Sequence, residues 1–389
     1  MINHVARAKA WEAPKEYIGQ LPTSGRGVGV VVMDEGFDLT HPDLKGRVIG
    51  VQTSPQDRFD SDPMGHGTHT LGIIGGSGGS SDGQVQGVAP DAKLIAMKVH
   101  LAQGEGLADS IASIERGIQW AVTNKEAHNI RVINCSFVLP TLEVPDPKNP
   151  GVFLPHDPLS YALNLAREAG ILVVAGAGNF ADKSPIATPA GDPSVIAVGA
   201  LDTKGTPDDL SDDSVAKFSS RGLSIHGQNK PDILAPGVWI MAPSALGSDP
   251  QLANERNRPL AQVVASGPIE EVQKMAKGLA AEGKLPAIAL QLPEPSLRKI
   301  MGKVYDVSPT LGENSGQAAY IAHDGTSEAA PIVTGLLANM FEANPNLTAD
   351  QAKEILYSTA RPVSGDSTAV GRGAIDAQAA IAKATHFKS

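Results

Sequence analysis

The sequence predicts an α/β fold: a mostly parallel central sheet flanked by helices, with a further α/β segment inserted late in the chain. Two observations carry this. Short apolar, β-branched runs recur along the chain, and the stretches between them repeat apolar residues at helical spacing. Strands that alternate with helices imply a parallel sheet covered on both faces. At 389 residues, 41% hydrophobic and 19% charged, the chain can bury such a core in one large domain.

In chain order, residues 1–26 form a polar lead-in, and a single domain spans 27–389. Its first strand is Gly27-Val-Gly-Val-Val-Val-Met33, and runs of the same kind stand at 92–99, 131–137, 171–175 and 194–198. Runs without alternation fit strands buried on both faces. Residues 108–124 carry apolar side chains at 111, 114, 118, 121 and 122, one face of a helix, and 159–169 behave likewise. The stretch 245–320 has its own pattern and is expected to be an inserted α/β subdomain. Within it 260–265 and 285–292 read as strands, and 268–282 and 295–303 as helices. Helices are expected again at 326–340 and 348–360.

Composition excludes several function classes. The net charge is −10 and no basic block stands out, which argues against nucleic acid and anionic membranes as partners. Aromatics make up only 4%, too few for base-stacking platforms. No run approaches the ~20 apolar residues of a membrane span. The lone Cys135 permits no intrachain disulfide and reads as a small buried hydrophobe. Residues 1–20 lack the apolar centre of a secretory signal. An extracellular mature chain without its leader is the expectation, an intracellular protein the alternative.

Three separate places supply the groups that make a serine nucleophilic: a base, and an acid to orient it. Asp34 follows directly on the first strand, where a carboxylate sits at the carboxyl edge of the sheet. His66 opens the Gly-flanked turn Gly65-His-Gly-Thr-His-Thr70. Ser327 lies in Asp324-Gly-Thr-Ser-Glu-Ala-Ala-Pro331 at a helix start, where developing negative charge is favoured. Ala177-Gly-Asn-Phe180 follows another strand and offers an amide at the same edge. Each segment alone is a weak signal, since a serine at a helix start is commonly a plain cap. The order Asp, His, Asn, Ser is the informative feature.

These segments resemble the subtilisin-like (subtilase) family of serine proteases. The similarity runs through residues 26–44, ending in His41-Pro-Asp-Leu44, then His66-Gly-Thr-His69, Gly87-Val-Ala-Pro90, Val132-Ile-Asn-Cys-Ser136, 174–179, 193–199, Phe218-Ser-Ser-Arg-Gly222, Leu234-Ala-Pro-Gly237 and Gly371-Arg-Gly-Ala-Ile-Asp376. The resemblance implies a serine endopeptidase that works through an acyl-enzyme and needs no cofactor for chemistry. Ser327 would be the nucleophile, His66 the base, Asp34 its orienting acid and Asn179 the oxyanion donor. It further implies extended pairing of a polypeptide substrate along Gly104–Gly106 and Ser136–Val138, with Gly178 in the wall of the primary pocket. A narrow-specificity processing protease is the alternative, and a catalytically silent binding protein on the same fold a further one. Oligomeric state is not legible, and the His, Asp and Glu spacing gives no sign of Zn2+. The resemblance allows a structural Ca2+ near Asp43 and the loop 75–84. That loop is mostly Gly and Ser, whereas Ca2+ takes six or more oxygens.

Both neighbours of the reactive pair depart from the family pattern. Glu35 stands where Thr is usual, and Glu328 where Met is usual. Either each points to solvent, Glu328 being favoured by the helix dipole, or the two carboxyls lie together and share a proton, since like charges at short range raise one pKa.

Overall fold

The computed structural model describes residues 12–388, apart from 54–60, 102–105, 141, 146–147, 150–152, 183–184, 207–208, 306–307, 309 and 315–316. Its centre is a parallel sheet of β1 (Gly29–Asp34), β2 (Val48–Gln52), β3 (Lys93–Lys98), β4 (Ile130–Cys135), β5 (Leu172–Gly176), β6 (Ile196–Asp202) and β7 (Ile233–Pro236). The strand order is β7-β6-β5-β4-β1-β3-β2, with the short strand Ser214–Val215 antiparallel to β6. Every residue of β1 is buried. Side chains alternate across a strand, so Val30 and Val32 join one core layer while Val31 and Met33 join the other. This explains the unbroken apolar run in the sequence.

Helices α1 (His66–Gly75) and α7 (Thr326–Ala343) cover the first layer, and α2 (Leu107–Thr123) and α3 (Ser160–Glu168) the second. Nearly all of α7 is buried and it packs across β4, β5, β6 and β7. It is apolar all round because no face meets water. Residues 142–145 and 153–156 form an antiparallel hairpin beyond β4.

A second, three-stranded antiparallel sheet is made by β8 (Ile240–Pro243), β10 (Gln317–His323) and β9 (Thr310–Asn314), in the order β8-β10-β9. Between β8 and β9 lie α4 (Asp249–Ser266), α5 (Ile269–Ala281), a 3-10 turn at Ala287–Gln291 and α6 (Glu294–Val304). The strands expected at 260–265 and 285–292 are therefore helical. The apolar run at 260–265 is the end of an 18-residue helix whose Val264 meets Val272, Ala276, Leu279, Leu297 and Met301 in a small core of its own. That packing outweighs the β-preference of two adjacent valines. Its root touches the loop before α1: the Asp249 N–H donates to Pro63 O at 2.7 Å and the Leu246 N–H to Asp38 Oδ2 at 3.0 Å.

Candidate active site

Three strands end together at one edge of the sheet. β1 stops at Asp34, β4 leads into Ser136, and β5 leads through Gly176 to Asn179. Register fixes the grouping, since Val32 lies beside Asn134 and Asn134 beside Val174. The N-terminus of α7 meets this edge from below and brings Ser327.

Asp34 is 2% exposed and its Oδ1 accepts the Glu35 N–H at 2.9 Å. Its Oδ2 lies 2.7 Å from His66 Nδ1, which makes Nδ1 the donor and leaves Nε2 as the basic nitrogen. His66 can sit this close because the next residue is glycine. A Cβ on Gly67 would stand 2.1 Å from Gly36 O and 2.9 Å from the Asp34 Cβ. Burial disfavours the charged imidazole, but Asp34, Glu328 and Asp62 outweigh it and push His66 up to about 10. Asp62, itself buried, accepts the N–H and hydroxyl of Thr68 on α1.

The start of α7 is held by four contacts that follow from its sequence. Pro331 has no N–H, so the carbonyl of Ser327 loses its helical partner four residues on. The Ser136 hydroxyl donates to that oxygen instead, at 3.0 Å, and itself accepts from Asn134 Nδ2 at 3.0 Å. Thr326 donates its N–H and its hydroxyl to Asn179 Oδ1, at 3.0 and 3.1 Å. Because a backbone N–H only donates, these bonds fix the amide with Oδ1 on Thr326 and leave Nδ2 as the free donor. A Cβ on Gly325 would lie 3.3 Å from that Nδ2, 2.8 Å from Ser327 Oγ and 2.4 Å from Glu328 Oε2, so the three groups converge where only glycine fits. Gly178 donates its N–H to the Thr326 hydroxyl at 3.0 Å. Gly106 begins α2, while Gly104 lies outside the described residues.

Ser327 Oγ donates to Glu328 Oε2 at 2.9 Å, and no hydrogen bond joins it to His66. Glu328 is 2% exposed, and its Oε1 lies 3.6 Å from Nδ1 of the buried His69. Burial pushes the Glu328 carboxyl up, against the pull of His66 and of the Ser327 hydroxyl. Glu35 is exposed; partial burial and Asp34 raise it, while His100 and His66 lower it. No hydrogen bond joins Glu35 to Glu328 among the described residues. The expected carboxyl pair is thus replaced by two separate arrangements, Glu35 on the surface beside Asp34 and Glu328 beneath the serine with His69. No sequence signal singled out His69 or Thr326.

The surroundings of Asp43 do not suit Ca2+. Asp43 is fully buried, its Oδ2 accepts the Gly78 N–H at 3.0 Å and the Tyr320 hydroxyl at 2.9 Å, and its Oδ1 accepts the Ser80 N–H at 3.2 Å. Donors stand where a cation needs oxygen lone pairs. Among the described residues, no helix is long and apolar enough to cross a membrane.

Comparison with known proteins places these features. The model of the Subtilase family matches residues 25–376. The serine protease AprX of Bacillus subtilis is 33% identical over 364 residues, which cover 92% of this chain and 67% of AprX. Subtilisin Savinase of Lederbergia lenta is 37% identical over 219 residues, 56% of this chain and 67% of the relative. Among solved structures, fervidolysin from Fervidobacterium pennivorans, a keratinolytic enzyme related to subtilisin, has a TM-score of 0.63 and 26% identity, and the match covers 95% of this chain and 46% of fervidolysin.

Proposed function

The chain belongs to the subtilase family of serine peptidases, and we propose that it is an endopeptidase whose triad is Asp34, His66 and Ser327. The observation that carries this reading is the 2.7 Å contact of Asp34 with His66 Nδ1, opposite a serine whose helix start is tied to Asn179. In the reaction Ser327 Oγ leaves Glu328, bonds to the substrate carbonyl carbon and gives its proton to His66 Nε2. The carbonyl oxygen becomes an oxyanion, held by Asn179 Nδ2 and the Ser327 N–H. His66 then returns the proton to the departing amine as the C–N bond breaks, leaving an acyl-serine. Water enters, His66 takes its proton, and the acid product leaves. Asp34 holds the imidazole tautomer and balances its positive charge. Substrates are polypeptides, aligned along Ser136–Val138 and Gly104–Gly106 with Gly178 walling the first side-chain pocket. A fluorophosphonate probe should label the wild type at Ser327 and leave Ser327→Ala unlabelled; an unlabelled wild type would overturn the assignment.

A narrow choice of substrate has its own support. The helical unit 249–304 has a separate core and is rooted beside Pro63, three residues before His66. Deleting 249–304 should speed cleavage of casein more than of a short chromogenic peptide. Equal effects on both would remove the unit from substrate selection.

A further inference from the structure

Beneath Ser327 lies a cluster that the reaction does not use. It joins His69, one turn after His66 on α1, His323 at the end of β10, and Glu328 on α7. His69 is fully buried, and its Nε2 lies 3.0 Å from Ile321 O. That nitrogen is therefore the donor, and Nδ1 keeps a lone pair. Nδ1 has no hydrogen-bond partner, although it faces Glu328 Oε1 at 3.6 Å. The His323 ring stacks on His69 with centroids 4.4 Å apart, and one donor atom from each of the three residues lies within 4.8 Å of the others.

We propose that His69, His323 and Glu328 form a binding site for a divalent transition-metal ion of the Zn2+ type, and that occupancy restrains the nucleophile. The donor set carries the choice of ion. Two imidazoles and one carboxylate suit Zn2+, whereas Ca2+ and Mg2+ call for oxygen donors. Ligands about 2.0–2.2 Å from one tetrahedral ion are roughly 3.3 Å apart. His69 and Glu328 are already close to that, and half-buried His323 closes the set. The carbonyl of Ile321 serves His69 as outer-shell carbonyls serve metal-bound histidines, by fixing the tautomer. Burial keeps both rings neutral, with His69 well below its usual value and His323 lowered to about 4, so their lone pairs are free at neutral pH.

Inhibition follows from the second oxygen of Glu328. An ion bound at Glu328 Oε1 requires that carboxyl as the carboxylate, while Oε2 stays on Ser327 Oγ at 2.9 Å. Its Oε2 then holds the Ser327 hydroxyl by a charge-assisted bond, about twice as strong as a neutral one, and keeps it from His66. This inference rests on Ser327 being the nucleophile.

The test uses the full chain, freed of metal by a chelator that is then removed. Calorimetric titration with ZnCl2 measures binding, and the rate of fluorophosphonate labelling measures the serine. One ion should bind, and at free Zn2+ a hundred times Kd, where nearly every chain is occupied, labelling should slow about 2- to 13-fold, the effect of doubling the strength of the Ser327–Glu328 bond. A chelator should restore it. His323→Phe keeps the ring stack but removes a ligand; it should weaken binding by more than the roughly 10–100-fold lost with an outer-shell partner, and its labelling should resist Zn2+. Absence of binding in the wild type, equal binding by His323→Phe, or a labelling rate unchanged with Zn2+ bound would each overturn the proposal. Failure of the metal-free chain to label would instead strike at the nucleophile assignment, and the calorimetry would still report whether the site exists.

Discussion

Replacing Glu328 by methionine should make the enzyme faster and shift its activity toward lower pH. Ser327 must break its 2.9 Å bond to Glu328 before it can reach His66. Burial pushes the Glu328 carboxyl up, and a hydroxyl bond to its neutral form is worth about 0.5–1.5 kcal/mol. At 1.36 kcal/mol per tenfold, its removal should raise kcat/KM by about 2- to 13-fold. The pH effect has a fixed sign. His66 accepts a proton only when neutral, so activity rises with pH through its pKa, and a value pushed up to about 10 puts that rise on the alkaline side. Glu328 is one of the groups that raise it, through the fraction that is ionised. Glu328→Met therefore moves the rising limb of kcat/KM to lower pH. The assay is hydrolysis of a chromogenic peptide from pH 5 to 11, with the urea midpoint as a check on the fold. A kcat/KM that does not rise, or a limb that stays in place, refutes the reasoning.

Three further outcomes follow. Asn179→Ala should lower kcat by about 10²–10³, the loss known for this donor in subtilisin, with little change in KM. Ser136→Ala leaves the Ser327 carbonyl without its partner and should cost about 1–3 kcal/mol in urea unfolding; Pro331→Ala restores a helical N–H to that carbonyl, so the cost should shrink in the double variant, and an equal cost would detach Pro331 from the argument. Tyr320→Phe removes a donor from buried Asp43 and should cost about 1.5–3 kcal/mol, while adding Ca2+ to the metal-free wild type should leave its urea midpoint unchanged; a rise would place a cation there after all.

The parts of the fold that could be read from the sequence are those where local pattern and burial agree. β1 is apolar at every position because both its faces are covered, and α7 is apolar all round because it runs through the core. β2 escaped notice because it is a half-exposed edge strand. The valines at 263 and 264 read as a strand because the small core that holds them in α4 is assembled from α5 and α6, which a local window cannot see. Asp34, His66, Asn179 and Ser327 stood out because each follows a strand end or opens a helix, places that sequence can mark.

The carboxyl beside the nucleophile could not be placed that way. Glu35 and Glu328 look equivalent in sequence, each one residue past a proposed triad position. β1 is covered on both faces but ends at Asp34, so Glu35, one residue past the strand, lies at the exposed edge. On a helix successive side chains differ by about 100°, so with half-buried Ser327 facing the cleft Glu328 is carried inward. What it meets there, His69, lies 259 positions away in the sequence and is brought near only by the packing of α1 on α7. The same two geometries explain why a sequence can name a nucleophile yet miss the group that restrains it. The nucleophile is fixed by its own turn, and the restraint by what the turn is packed against.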